Sequence, residues 1–282
     1  MVDFIAEVSS NHLRNIERCY KFIDIASSIG CDAVKFQLFR IDELFSSEAL
    51  ALKPELRTRK SWELPPKFIP LIKQRCTDKN IKFCCTPFSL TAVNELEPYV
   101  DIYKIASYEI LWLELIKSIA KTSIPLIIST GMATLPEVQS AIDTYGIDKI
   151  KDLSLLHCVS NYPALPEQCN LSAIKTIKQT FNINVGWSDH TRNPHVVHRA
   201  ISKFGAEIVE FHLDIDERGP EYATGHCWLP SEIEEVIKAV RQYPIMDGDG
   251  EKKTNEFEKT ERSWRADPSD GLRPLMATRL NI

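Results

Sequence analysis

The chain has 282 residues, 44% hydrophobic and 26% charged, with 34 Lys and Arg against 39 Asp and Glu for a formal charge of −5. These fractions exclude wholesale disorder, collagen-like repeats and low-complexity architectures. The mild acidity excludes a broad nucleic-acid surface, which needs clustered Lys and Arg. No stretch approaches the roughly 18 to 20 uncharged apolar residues of a membrane span. Met1 to Ser10 carries Asp3 and Glu7 without a basic stretch, so no signal peptide is predicted. The eight cysteines form no CxxC or CxxxC pair, which reads as reduced thiols and a cytoplasmic address.

Short apolar, β-branched runs recur along the chain, each followed by a segment of helical period. Predicted strands are Asp3–Val8, Ala33–Phe39, Lys82–Pro87, Ile102–Ser107, Pro125–Thr130, Leu153–Val159, Asn184–Ser188 and Ile208–Leu213. Ile16, Cys19, Phe22, Ile23 and Ala26 share one helical face, and Val196, Val197, Ala200, Ile201 and Phe204 another. Gly30 and Gly205 each stop a helix just ahead of a strand. Near-continuous apolar strands alternating with helices signal buried parallel β-structure. Eight such units predict an α/β fold, a (β/α)8 TIM barrel over residues 1–245. A doubly wound open sheet competes, but the first strand is followed by Ser9-Ser10-Asn11-His12 and not by a glycine-rich phosphate loop. Residues 246–282 are charged and turn-rich, and read as a short C-terminal tail without a separate globular domain.

In a barrel of this kind, chemistry sits at the C-terminal strand ends. The first strand ends in Glu7, and the second carries Lys35 and Gln37 on one face. The third ends at Thr86, the fourth carries Lys104 with Ser107 and Glu109 beyond it, and the fifth ends at Ser129. The sixth leads to Ser160 and Tyr162, the seventh to Ser188, Asp189 and His190, and the eighth carries Glu210 and His212. Buried Lys and Glu are costly unless paired or used, so this concentration predicts an enzyme. Two lysines with several hydroxyls suit a phosphate or phospho-carboxylate substrate. His190 and His212, on neighbouring strands, suit one divalent metal.

These residues fall in ordered motifs: Ile5-Ala6-Glu7 with Asn11-His12, Ala33-Val34-Lys35-Phe36-Gln37, Thr86-Pro87-Phe88, Tyr103-Lys104-Ile105-Ala106-Ser107 with Glu109, Ser129-Thr130-Gly131-Met132-Ala133, His157 through Pro163, and Ser188-Asp189-His190-Thr191. The set resembles the sialic acid synthase family, makers of N-acetylneuraminate and related nonulosonic acids, over roughly residues 4 to 245. The resemblance implies condensation of phosphoenolpyruvate with an open-chain N-acetyl-hexosamine such as N-acetylmannosamine, assisted by Mn or Mg, in the barrel of a homodimer. It implies His190 and His212 as metal ligands and Glu7, Glu210, Lys35 and Lys104 as catalytic groups. Thr86, Ser107, Ser129, Ser160 and Ser188 fall where the family grips phosphoenolpyruvate. Gln37, Glu109, Tyr162 and Glu221 fall where it meets the sugar, and Asp189 joins the substrate-binding set. Alternatives are a related enzyme condensing phosphoenolpyruvate with a phosphorylated sugar, and a non-catalytic sugar-binding barrel.

The sequence departs from the family pattern at Leu13-Arg14, Tyr108 and Ser89, and at Gly219-Pro220-Glu221-Tyr222, where His226 follows either as a substitute histidine or as a loop cap. The antifreeze-like module of longer members is expected to be missing. Arg265 or Arg273 in the tail is then a candidate for the arginine that the module supplies.

Overall fold

Each predicted strand is an apolar run that turns polar towards its C-terminal end, and the eight runs close into a barrel. The computed structural model describes residues 2–281, the side chains at 147, 148 and 150 excepted. Strands β1 (Asp3–Glu7), β2 (Ala33–Leu38), β3 (Lys82–Pro87), β4 (Ile102–Ile105), β5 (Leu126–Ser129), β6 (Leu153–Cys158), β7 (Asn184–Asp189) and β8 (Ile208–His212) form a closed parallel barrel in sequence order. The predicted fold is thus the observed one. Strand ends differ from the sequence reading by two residues at most, the largest difference being at β4.

The barrel interior explains the chemistry of its rim. Ile5, Ala33, Cys84, Ile127, Leu156 and Ile208 form an apolar layer, with Ile102 packed against it. Side chains two residues apart on a strand point the same way. The layer directly above is therefore Glu7, Lys35, Thr86, Lys104, Ser129, Cys158, Ser188 and Glu210, one from each strand. Gly186 is the β7 member of the lower layer. A Cβ there would lie 2.3 Å from the Ile208 carbonyl oxygen and 2.6 Å from Leu156, so only glycine lets β7 approach β8.

Helices cover the outside by the expected faces. Ile16–Ser28 starts on Asn15, whose side chain accepts from the Arg18 amide at 3.1 Å, and buries Cys19, Phe22, Ile23 and Ala26. Pro194–Ser202 buries Val196, Val197, Ala200 and Ile201. The β2–β3 connection holds more than its sequence suggested: helices Ile41–Leu44 and Ser47–Leu52 and the 3-10 segment Pro54–Trp62. There Phe39, Ile41 and Leu50 make a small core with Leu44, Phe45, Leu56, Trp62 and Phe88.

The chain divides into two compact units between Arg241 and Gln242. The second contains helices Lys259–Ser263 and Met276–Arg279. Asp267 organises it, accepting from the Ser269 amide at 3.0 Å and the Met276 amide at 2.7 Å, while Arg279 pairs with Asp270. Arg265 hydrogen-bonds the Arg262 carbonyl within the same unit. Among the described residues no helix is long and apolar enough to cross a membrane.

Candidate active site

The polar layer is tightly paired. Lys35 Nζ lies 2.9 Å from Glu7 Oε2 and 3.3 Å from Glu210 Oε2. Lys104 donates to Ser129 Oγ at 2.6 Å and to the Ile105 carbonyl at 2.9 Å, with Glu210 Oε1 at 3.9 Å. Ser188 donates to Glu210 Oε1 at 3.2 Å. Lys35, Lys104 and Glu210 are 4%, 1% and 4% exposed, and Glu7 is fully buried. Burial favours the neutral forms of Lys35, Glu210 and Lys104, and the charges around each oppose it. Burial would lower the Lys35 pKa, but the Glu210 and Glu7 carboxylates outweigh it and raise it. Burial would raise the Glu210 pKa, but Lys104, Lys35 and His212 pull it down to about 2. Lys104 goes the other way: burial lowers its pKa more than Glu210 restores it.

Next to this layer is a cradle of small groups. Ser107 Oγ accepts from the Gly131 amide at 3.1 Å and lies 3.1 Å from Cys158 Sγ. A Cβ on Gly131 would sit 2.5 Å from Ser160 Oγ and 2.6 Å from Ser107 Oγ. Ser160 Oγ, Thr86 Oγ1 and Glu109 Oε2 are buried without a hydrogen-bond partner. Buried orphans of this kind await a ligand or explain a strain, and Glu109 is close enough to feel the charge of Lys104. Burial holds the Glu109 carboxyl up to about 7, against the opposing pull of Lys104.

A hydrogen-bonded chain joins the layer to the loop after β8. Gln37 donates to Glu7 Oε1 at 2.7 Å and to Ser9 Oγ at 3.1 Å, and Ser9 donates to Glu221 Oε1 at 2.5 Å. Glu221 Oε2 lies 2.8 Å from His212 Nδ1 and 3.7 Å from His226 Nε2. Tyr162 packs on His190 with ring centres 4.1 Å apart, and reaches His226 at 5.1 Å and His212 at 5.9 Å. His190 Nδ1 donates to the Val159 carbonyl at 2.7 Å, and burial holds its pKa down to about 3, so Nε2 carries a lone pair. A cavity of about 440 Å³ opens among Gln37, Tyr108, Tyr162, His212, Glu221 and His226, with Phe39, Ile41, Trp62 and Phe88 as an apolar wall and Arg59 beside it. A larger groove of about 690 Å³ lies among Leu113, Lys117 and Thr144 and touches none of the strand-end groups.

Residues 22–252 match the family model described as NeuB family. The chain belongs to the NeuB family. It is 33% identical over 273 residues to the N,N'-diacetyllegionaminic acid synthase of Campylobacter jejuni, covering 90% of this chain and 80% of that one. It is 32% identical over 260 residues to the pseudaminic acid synthase of the same species, covering 88% and 76%. The crystal structure of N-acetylneuraminic acid (sialic acid) synthetase from Leptospira borgpetersenii superposes with a TM-score of 0.81 at 31% identity, covering 92% of this chain and 90% of that one.

Within this NeuB-family barrel, the sequence-derived residues divide into three groups. Glu7, Lys35, Thr86, Lys104, Ser129, Ser188 and Glu210 share one layer, and Ser107, Ser160 and Glu109 supply the adjoining cradle and orphan atoms. Gln37, Tyr162, His212 and Glu221 line the cavity. Asp189 stands apart from both. Its carboxylate accepts from Trp187 Nε1 at 3.0 Å, Thr191 Oγ1 at 2.7 Å, Trp228 Nε1 at 3.0 Å and the Arg192 amide at 3.1 Å. All four lone-pair positions are used inside the protein, so the geometry gives Asp189 a positioning part in place of the substrate contact expected from its motif.

The sequence reading missed Ser9, Arg59, Trp62 and the apolar wall. Arg59 and Trp62 lie in a connection with no strand-end signature. Ser9 adopts φ 47°, a left-handed turn that swings it toward Glu221. The Leu13-Arg14 departure also takes structural meaning. Both residues have φ 52°, the left-handed region that favours glycine, and Arg14 is held there by donating to the Lys60 carbonyl at 2.6 Å. His12 accepts from the Arg14 amide at 2.9 Å and is a loop clamp.

A divalent metal fits this donor set. His190 Nε2 is free to coordinate, His226 Nε2 is a buried orphan, and Glu221 is held anionic because His212 outweighs the effect of its burial. Imidazole and carboxylate together suit borderline first-row ions.

Proposed function

We propose that this chain condenses phosphoenolpyruvate with an open-chain N-acetyl amino sugar to give a nine-carbon nonulosonic acid and phosphate. The observation that carries the reading is the buried Lys35–Glu7–Glu210–Lys104 layer with partnerless Thr86 and Ser160 hydroxyls beside it. Fixed cations and uncommitted donors in a dry site are what a phosphorylated carboxylate needs. In this reading Lys35, Lys104, Ser107, Ser129, Ser160, Ser188 and Thr86 bind phosphoenolpyruvate. Gln37, Glu109, Tyr162 and Glu221 orient the sugar. The enol carbon attacks the aldehyde carbon, water adds to the resulting cationic carbon, and phosphate leaves by C–O cleavage as the lysines neutralise its charge. Glu210, held at about 2, is a poor base and supplies charge. Glu7 takes the proton of the attacking water. A divalent ion held by His212 and His190, Mn or Mg by family likeness, supplies Lewis-acid polarisation of the aldehyde when bound.

The apolar wall of Phe39, Ile41, Trp62 and Phe88 suits the methyl groups of acetamido substituents, and Arg59 is the single Lys or Arg lining the cavity among the described residues. Both favour an unphosphorylated acceptor. The protein acts in this reading as a cytoplasmic homodimer. The test is phosphate release from phosphoenolpyruvate with Mn, screened against N-acetylmannosamine and diacetamido-deoxy-hexoses, with His212→Ala as control. Release with one sugar, abolished in His212→Ala, is expected. Silence across the panel in folded, metal-loaded protein would overturn the reading in favour of a barrel that binds sugar without turning it over.

A further inference from the structure

Helix Ile16–Ser28 carries a buried cation where a helix least favours one. Arg18 is its third residue, in the first turn, where the helix dipole opposes positive charge. The residue is only 9% exposed. Its partners explain the placement. Nε donates to the Asn11 carbonyl at 2.6 Å, Nη1 to Asp216 Oδ2 at 2.7 Å and Nη2 to Asp214 Oδ1 at 2.8 Å. Asp214 is fully buried. The first partner lies in the loop after β1 and the other two in the loop after β8, so one planar guanidinium bridges two loops. None of the three partners belongs to a strand.

The bridge continues to the site in short steps. Asp214 Oδ2 accepts from the Gly219 amide at 3.2 Å. Gly219 packs so closely on Asn11 that a Cβ there would lie 2.2 Å from Asn11 Oδ1. Asn11 Nδ2 donates to the Leu213 carbonyl at 2.9 Å, and its Oδ1 accepts from the Glu221 amide at 3.1 Å. The Glu221 backbone is thus held by Asn11, whose own carbonyl Arg18 holds. The Glu221 carboxylate then accepts from Ser9 Oγ at 2.5 Å through Oε1, and Oε2 stands 2.8 Å from His212 Nδ1. An imidazole that gives its Nδ1 proton to a carboxylate keeps Nε2 for coordination. The same carboxylate therefore lines the cavity and sets how His212 presents itself.

We propose that Arg18 is a positioning residue for the sugar side of the site: it locks the loops after β1 and β8 together and so aims Glu221 at His212 and the cavity. The inference rests on the functional reading, in which Glu221 meets the sugar. Phosphoenolpyruvate is gripped in that reading by strand-end groups such as Lys35, Lys104 and Ser129, whose partners do not include Arg18. Lysine at position 18 would keep the charge but lacks the rigid planar fork that spans three fixed oxygens.

The experiment compares wild type with Arg18→Lys, with the double variant Arg18→Met plus Asp214→Asn, and with Arg75→Lys as control. Arg75 pairs with Asp24 at 2.8 and 2.6 Å and stacks on Tyr20, both on helix Ile16–Ser28 and away from either loop. The double variant removes both charges of the buried pair together, so neither is left uncompensated, while Asp216, with its side chain 38% exposed, stays solvated. Phosphate release is measured against each substrate in turn. Misplacing a substrate-orienting group by about 1 Å costs on the order of 100-fold, so a rise of at least roughly tenfold in the KM for the amino sugar is expected in both Arg18 variants. The KM for phosphoenolpyruvate is expected to stay near wild type, and Arg75→Lys to leave both values unchanged. A shared rise in both KM values, or an unchanged sugar KM, would overturn the proposal and leave Arg18 a stabilising staple. If wild type releases no phosphate with any sugar, the functional reading fails by itself, and amide hydrogen exchange decides the role of Arg18. Faster exchange in Arg18→Lys confined to residues 9–15 and 213–226 is expected. Exchange unchanged there, or raised throughout the barrel, would refute the loop lock.

Discussion

Replacing Lys35 with Met tests whether the strand-end layer is held as an ion cluster. Lys35 is the cation shared by Glu7 and Glu210, at 2.9 and 3.3 Å, with all three groups at most 4% exposed. Met matches the aliphatic stem, so packing is nearly conserved and the charge is what is lost. Removing one partner of a buried pair costs about 3 to 5 kcal/mol, because the other charge stays buried. For a chain of this size a loss of 1 kcal/mol lowers Tm by about 2 °C, so a fall of roughly 6 to 10 °C is expected near pH 8. The sign of the pH dependence follows from linkage. Without Lys35, Glu210 loses one of the charges that hold its carboxyl down against burial, so its pKa moves up and the folded protein takes up a proton more readily as the pH falls. The destabilisation is therefore largest at pH 8 and shrinks toward pH 5, and Glu7→Gln added to Lys35→Met recovers part of it. Calorimetry on wild type, the single variant and the double variant at both pH values is the assay. A Tm loss under 2 °C, or an equal loss at both pH values, would refute the ion-cluster reasoning.

Three further outcomes follow from the same geometry. Glu109, with its carboxyl held up to about 7, keeps its proton while an unfolded chain releases its own near 4.5, so it lowers stability increasingly as pH rises from about 4.5 to about 7. Each pH step of one across that window costs about 1.4 kcal/mol, so Glu109→Gln is expected to gain up to about 3 kcal/mol at pH 8 and nothing at pH 4 by urea titration; a pH-independent difference contradicts the reading. Gly131→Ala forces the Ser107 and Ser160 hydroxyls off their positions, at a cost of about 1 kcal/mol in rotamer strain. Steady-state kinetics should show the larger effect, a raised KM for phosphoenolpyruvate; an unchanged KM would remove these hydroxyls from its site. Asp189→Asn turns an acceptor toward a donor on one side of a fully used carboxylate and should cost about 2 to 4 kcal/mol in denaturant melts. A stable Asp189→Asn protein with altered substrate KM would restore Asp189 to the substrate site.

Period-two alternation made much of this legible before any coordinates. Ile5 to Glu7, Ala33 to Lys35 and Ile208 to Glu210 are the same step, from an apolar layer to a polar one, repeated round the barrel. Because parallel strands in sequence order have few ways to close, that repeat also determined the fold and the end of it where chemistry sits. Lys35, Lys104, Glu7 and Glu210 were readable for this reason. What alternation does not encode is the path of loops, whose conformation depends on contacts far away in the chain. The turn at Ser9, the wall from the β2–β3 connection, and the meeting of Glu221 and His226 with His212 are all of that kind. Asp189 is the converse: it sits at a strand end as a site residue would, and tertiary structure turns its carboxylate onto two tryptophan N–H groups. Strand positions were set by local geometry and so by the sequence itself. The partners of loop side chains were decided only when the closed barrel brought residues some 200 positions apart, such as Ser9 and Glu221, within hydrogen-bond reach.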